Sequence, residues 1–153
     1  MIAKLQPLRK GFDDNLCVIT IYGEPCSKAN SRRLVMIKGR MVPIKSKKAL
    51  AYIEDFDKQC PIRHTLFTED LIACIKIFYK TRRPDLDESL ILDSMQGKIY
   101  KNDRAIKLKY IEHGLDKESP RCLIVVAPIE NKEEAMSTFE ELVRGDDQWG
   151  TQQ

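Results

Sequence analysis

The apolar residues of this chain fall into short blocks separated by polar stretches that contain Gly or Pro. Leu16 to Tyr22 is rich in β-branched and aromatic residues and predicts a buried strand. Leu34–Ile37 and Met41–Ile44 predict a hairpin turning at Lys38-Gly39, with Gly able to adopt a positive φ. Ser46 is placed to cap a helix over Lys47–Lys58, with Leu50, Ile53 and Phe56 on the inner side. Leu71–Tyr79 predicts a second strong strand. A short helix over Glu88–Gln96 follows, burying Leu90, Ile91 and Met95 and stopping at Gly97. Ala105–Glu112 and Arg121–Ala127 predict two further strands, joined by the polar turn Gly114–Pro120. In the tail, Asn131 with Glu134 has the spacing of a capping box, and Ala135, Met136, Phe139, Leu142 and Val143 share one helical face. Gly145 is the expected end of that helix, with residues 146–153 frayed. The order β–ββ–α–β–α–β–β predicts an α+β (α/β-like) fold, a small mixed β-sheet flanked by helices, with a C-terminal amphipathic helix. Residues 1–128 form the expected main domain and 129–153 an acidic helix and tail.

Bulk properties narrow the class. A chain of 153 residues is long enough for one domain with a real core. No N-terminal apolar run follows a basic start and no stretch approaches a membrane span, so a cytoplasmic protein without membrane attachment is expected. Five scattered cysteines, three of them within apolar strands, predict buried free thiols. Cys60 and His64 lack the second pair of ligands that a structural zinc site requires. The net charge of +3 hides a strong asymmetry. Residues 129–153 carry seven acids and two bases, leaving +8 for residues 1–128. Lys28 through Lys48 holds eight bases (Lys28, Arg32, Arg33, Lys38, Arg40, Lys45, Lys47 and Lys48) and no acid. Such a surface is either a solvated basic hairpin or a seat for a polyanion.

The candidate chemistry lies in Arg82-Arg83-Pro84-Asp85-Leu86-Asp87, answered downstream by Lys101-Asn102-Asp103. Acids at i and i+2 point the same way on extended backbone, and Pro84 disfavours helix at Arg83. The predicted helix after Asp87 is about 13–14 Å long, so Lys98–Asn102 is enough chain to bring Asp103 back beside the pair. Hard carboxylate oxygens in a cluster suit Mg²⁺, with Mn²⁺ able to substitute. Basic residues beside them suit a phosphate backbone. Together they point to metal-dependent phosphodiester cleavage. No Ser/His/Asp or Cys/His constellation accompanies them.

Asp85-Leu86-Asp87, then Leu92-Asp93-Ser94-Met95-Gln96-Gly97, then Asn102-Asp103-Arg104-Ala105-Ile106 resembles the RusA-type Holliday junction resolvases. Pro25-Cys26-Ser27-Lys28-Ala29-Asn30-Ser31 and Lys45-Ser46-Lys47-Lys48-Ala49 are similar to that family's N-terminal half. The resemblance covers roughly Asn15 to Val126. Two positions depart from the family pattern: Glu88 stands where Asn is usual, and no Lys follows on the helix, where Ile91 (or Ser89, aligned from Asp93) occupies its place. Lys98 and Lys101, just past the helix, are the candidates to replace it in space.

The resemblance implies that Asp85, Asp87 and Asp103 bind one or two Mg²⁺, with Glu88 a possible further ligand or simply a helix-starting acid. Asp93 reads as a polar residue on the outer face of the helix. Arg82, Arg83, Lys98 and Lys101 become candidates to contact phosphate. Lys28, Asn30, Arg32, Arg33, Lys45, Lys47 and Lys48 become the DNA-binding set. The implied substrate is a four-way DNA junction, cut symmetrically by a homodimer in recombination or repair, and the family's distribution points to phage or prophage. Two other readings stay open: a branched-DNA-binding protein that does not cut, and a less specific flap or single-strand nuclease.

Overall fold

The computed structural model of the protein describes residues 15–26, 32–82 and 88–152. Among the described residues six strands and three α-helices follow in the order β1 (Cys17–Tyr22), β2 (Arg32–Ile37), β3 (Arg40–Lys45), α1 (Lys47–Gln59), β4 (Leu71–Tyr79), α2 (Ser89–Ser94), β5 (Ile106–Leu115), β6 (Arg121–Pro128) and α3 (Lys132–Gln152). The fold is mixed α+β. A four-stranded sheet has the order β1-β6-β4-β5, and β2 with β3 forms a separate two-stranded sheet. β6 runs antiparallel to both β1 and β4, whereas β5 runs parallel to β4. Parallel pairing requires a crossover, and α2 lies within it.

The two central strands, β4 and β6, are covered on both faces, which explains their uninterrupted apolar sequences. On one face Ile19, Ile21, Ile75 and Ile77 pack with Tyr52 and Phe56 of α1 and Leu90 and Ile91 of α2. On the other, Val18, Ile72, Cys74 and Val125 pack with Ala135 and Phe139 of α3. All five cysteines are buried free thiols. No helix among the described residues is long and apolar enough to cross a membrane.

Local chemistry sets the element ends. Ser46 Oγ accepts a hydrogen bond from the Ala49 N–H at 3.1 Å, the expected cap of α1. Lys38 (φ 49°) and Gly39 (φ 77°) both adopt positive φ, so a two-residue type I′ turn closes the β2–β3 hairpin. α1 is rotated from the expected register: Ala49, Tyr52 and Phe56 are its buried residues, and Leu50 is exposed. The Tyr52 hydroxyl meets Cys122 Sγ at 3.6 Å, which gives its polar end a partner inside the core. α2 is shorter than the pattern predicts and ends at Ser94, with Gly97 (φ 81°) in the turn beyond it. β5 continues to Leu115, so residues expected in the following turn belong to the strand.

The C-terminal helix departs most from expectation. Gly145 does not end α3. Asp146 is not part of a frayed tail, because it pairs with the buried guanidinium of Arg121. Arg121 also binds Asp116 at 2.7 Å and lies 4.0 Å over the Phe78 ring. The Asn131 capping box does not form: Asn131 sits in a 3-10 turn, and its Oδ1 is buried without a hydrogen-bond partner among the described residues.

Gly114 supports the same clasp from below. A Cβ there would lie 2.5 Å from Phe78 Cδ1 and 2.7 Å from its Cε1. Gly114→Ala is therefore expected to push the ring off its seat under Arg121 and to cost about 1–3 kcal/mol. Urea unfolding with an unchanged m-value and a lower midpoint is the signature.

Candidate acidic site and basic hairpin

The sequence-predicted residues divide into four groups, of which Arg32, Arg33, Lys47, Lys48, Arg82 and Lys101 form the exposed one. Asp85, Asp87, Arg83, Lys28 and Asn30 lie outside the described residues. Asp103 and Lys45 are linked through Gln96 and Asp93 at the C-terminal end of α2, and Glu88 stands at its N-terminal end. Lys98 is engaged elsewhere.

Asp103 opens a 3-10 turn just before β5, capped by Asn102, whose Oδ1 accepts from the Arg104 N–H at 2.9 Å. The Asp103 N–H donates to Gln96 Oε1 at 2.8 Å, and Gln96 Nε2 donates to Asp93 Oδ1 at 3.3 Å. Asp93 Oδ2 in turn stands 3.2 Å from Lys45 Nζ at the base of the hairpin. One chain of polar contacts thus runs from Asp103 through α2 to the basic ribbon. The buried Tyr100 hydroxyl donates to the Leu92 carbonyl. Burial first, then the nearby charges of Asp103 and Asp93, raises its pKa far above that of a free phenol. Asp103 itself is half-buried, and no described side chain pairs with its carboxylate.

At the other end of α2, Glu88 Oε2 stands 3.4 Å from Lys109 Nζ on β5. Six helical residues span only about 9 Å, so α2 separates Glu88 from Gln96 by little more than that length. Asp87 adjoins Glu88 in sequence. The chain leaving β4 is anchored as well: the Lys80 N–H donates to Glu24 Oε2 at 2.7 Å. This contact ties together the described residues that lead toward Lys28 and toward Asp85.

Lys98 Nζ lies 2.7 Å from Asp57 Oδ1 of α1 and is 15% exposed, so it is committed to tying the turn after α2 to α1. Lys101 and Arg82 are exposed at the surface. Cys60, close to Lys98, has a thiol pushed up to about 12 by burial, and His64 is exposed. That thiol is therefore protonated at neutral pH.

Arg32, Arg33, Lys47 and Lys48 are exposed along the hairpin and the first turn of α1. Among the described residues no three His, Cys, Asp or Glu side chains stand close enough to share a metal ion. The described donor that suits one is Asp103, a hard carboxylate with no cation paired to it among the described residues. No protein-family model matches this chain. No curated protein matches it significantly.

Lys109, Gln96 and the Arg121 clasp were missed in the sequence. Lys107 and Lys109 alternate along one strand edge, a signal visible in the sequence but indistinguishable from ordinary edge-strand charge. Gln96 reads there only as the end of a helix, because its backbone partner is seven residues away.

Proposed function

We propose that the chain is a Mg²⁺-dependent endonuclease of branched DNA that resolves four-way junctions by paired phosphodiester cleavage as a homodimer. The observation that supports this most is the half-buried Asp103 carboxylate, unpaired among the described residues and tied through Gln96 and Asp93 to a basic hairpin. A shared divalent ion gathers carboxylates that would otherwise repel one another. Asp85, Asp87 and Asp103 would hold that ion, which when bound lowers the pKa of a water and offsets charge on the phosphate. Gln96 orients Asp103 through its backbone. Lys45, paired with Asp93, fixes the angle of the hairpin to the helix behind the acids. Arg32, Arg33, Lys47 and Lys48 supply backbone contacts that position the duplex without reading its sequence. A junction is two-fold symmetric, and a C2 dimer supplies two sites with one interface.

The test is nicking of a synthetic mobile four-way junction in Mg²⁺, with Asp87→Asn, linear duplex and flap controls. Paired symmetric nicks lost in the variant support the proposal. Equal cutting of flaps with unpaired nicks favours a less specific nuclease. A protein that binds the junction without cutting is the second reading, favoured by the commitment of Lys98 to Asp57.

Lys98 and Lys109 have different expected roles. Lys109→Gln is expected to slow cleavage roughly 10-fold or more without changing the melting temperature, as for loss of one charge facing the phosphate. Lys98→Gln is expected to lower stability by at most about 1 kcal/mol, since Asp57 is largely exposed. Its nicking rate per folded molecule stays that of wild type. Single-turnover kinetics beside thermal melts separate the two.

A further inference from the structure

The hairpin has two unlike faces. Pairing Met36 with Met41 and Leu34 with Pro43 puts these four residues on one face, with Arg32 and Lys45 at its base. Val35, Val42 and Ile44 on the opposite face are half-buried. The first face is open: Leu34 is 62%, Met36 65% and Met41 55% exposed. An apolar stripe on a ribbon of Arg32, Arg33, Lys38, Arg40 and Lys45 is costly in water unless a partner covers it.

We propose that this stripe is a wedge that inserts among the bases at the centre of branched DNA while the surrounding cations hold the backbones. This extends, and rests on, the DNA-cleaving reading above. The occupant follows from charge. A second copy seated on the stripe would bring two sets of basic residues together, with no acid in the hairpin to separate them. A polyanion removes that repulsion, and stacked bases offer the apolar surface that the methionines match. Two-stranded ribbons enter DNA grooves, and Met and Leu act as wedges where duplexes are unstacked. A branch point, whose central pairs open at least cost, is the site such a wedge fits best. The unbranched, flexible Met36 and Met41 side chains suit bases presented in more than one geometry. The ion pair of Lys45 with Asp93 fixes the wedge relative to the acids.

The test uses the full chain in EDTA, with a four-way junction carrying 2-aminopurine beside the branch point. Anisotropy reports binding and 2-aminopurine emission reports unstacking on the same sample. Wild type is expected to raise the emission several-fold at saturation. The double variant Met36→Ser, Met41→Ser is expected to bind within about 3-fold of wild type yet leave the emission at the level of free DNA. Both side chains are exposed, so an unchanged melting temperature is expected. Wild-type binding without an emission change, or an equal change with the double variant, overturns the wedge and leaves the nuclease reading standing. A double variant that shifts from dimer to monomer in sedimentation also overturns it, in favour of self-association. Absence of any junction binding by wild type removes both readings.

Discussion

Asp103→Asn is expected to lower Mg²⁺-dependent nicking of a four-way junction by roughly 10²–10³-fold, the range seen when one group stabilising transition-state charge is lost. The substitution keeps shape and leaves the backbone bond to Gln96 in place. Junction affinity in EDTA should stay within about 2–3-fold of wild type, because the acids contribute no attraction to phosphate without the cation. Stability in EDTA should stay within about 0.5 kcal/mol of wild type, as for an isosteric change at a partly exposed side chain. Titrating Mg²⁺ against nicking rate gives the decisive reading: a cation ligand lost moves the half-saturation point upward as well as lowering the maximum. A rate equal to that of wild type at all Mg²⁺ concentrations would remove Asp103 from the site.

Arg121→Ala should produce the largest loss of stability, about 2–3 kcal/mol, or a fall in Tm of roughly 5–10 °C for a chain of this size. The guanidinium is nearly buried and holds Asp116, Asp146, the Ser119 carbonyl and the Phe78 ring. The value sits below that for a fully buried pair because Asp116 and Asp146 keep some access to water, which softens the cost of leaving them unpaired. The clasp also carries a pH dependence. The Arg121 hydrogen bond, opposed in part by desolvation and aided by the Ser119 and Glu118 N–H groups, holds the Asp116 carboxyl below its ordinary value of 3.8. The folded protein therefore binds fewer protons than the unfolded chain in this range. The contribution is complete above pH 3.8 and disappears as pH falls through the depressed value. Wild type should lose this contribution below about pH 4, and Arg121→Ala should show a flatter profile there. Urea midpoints measured between pH 2.5 and 6 compare the two.

The buried strands were legible from residue type alone, because β4 and β6 are apolar along their whole length. So were the α1 cap, the hairpin turn and the amphipathic α3. The rotation of α1 was not: Leu50 outranks Tyr52 in hydropathy, and only the position of Cys122, seventy residues away, shows where the tyrosine hydroxyl goes. The end of α3 was missed for a similar reason. A helix-stopping Gly145 is outweighed when the next residue finds Arg121 on the sheet. In the candidate site, the acids and bases were visible as residue types. Which base faces which acid was not, and Lys98 went to Asp57 while Lys109 went to Glu88.

By itself, then, the sequence determined the α+β class, the element order, the basic hairpin and the set of carboxylates from which a site is drawn. These depend on local periodicity, turn chemistry and composition, all of which act over a few residues. The tertiary structure alone decided strand order, the parallel partnership of β4 with β5, and the linkage from Asp103 through Gln96 and Asp93 to Lys45. The strand pairings and the Asp93–Lys45 contact join residues that are distant in the chain. Competition among many similar charges is resolved only when packing brings particular side chains within hydrogen-bond distance and removes the water between them.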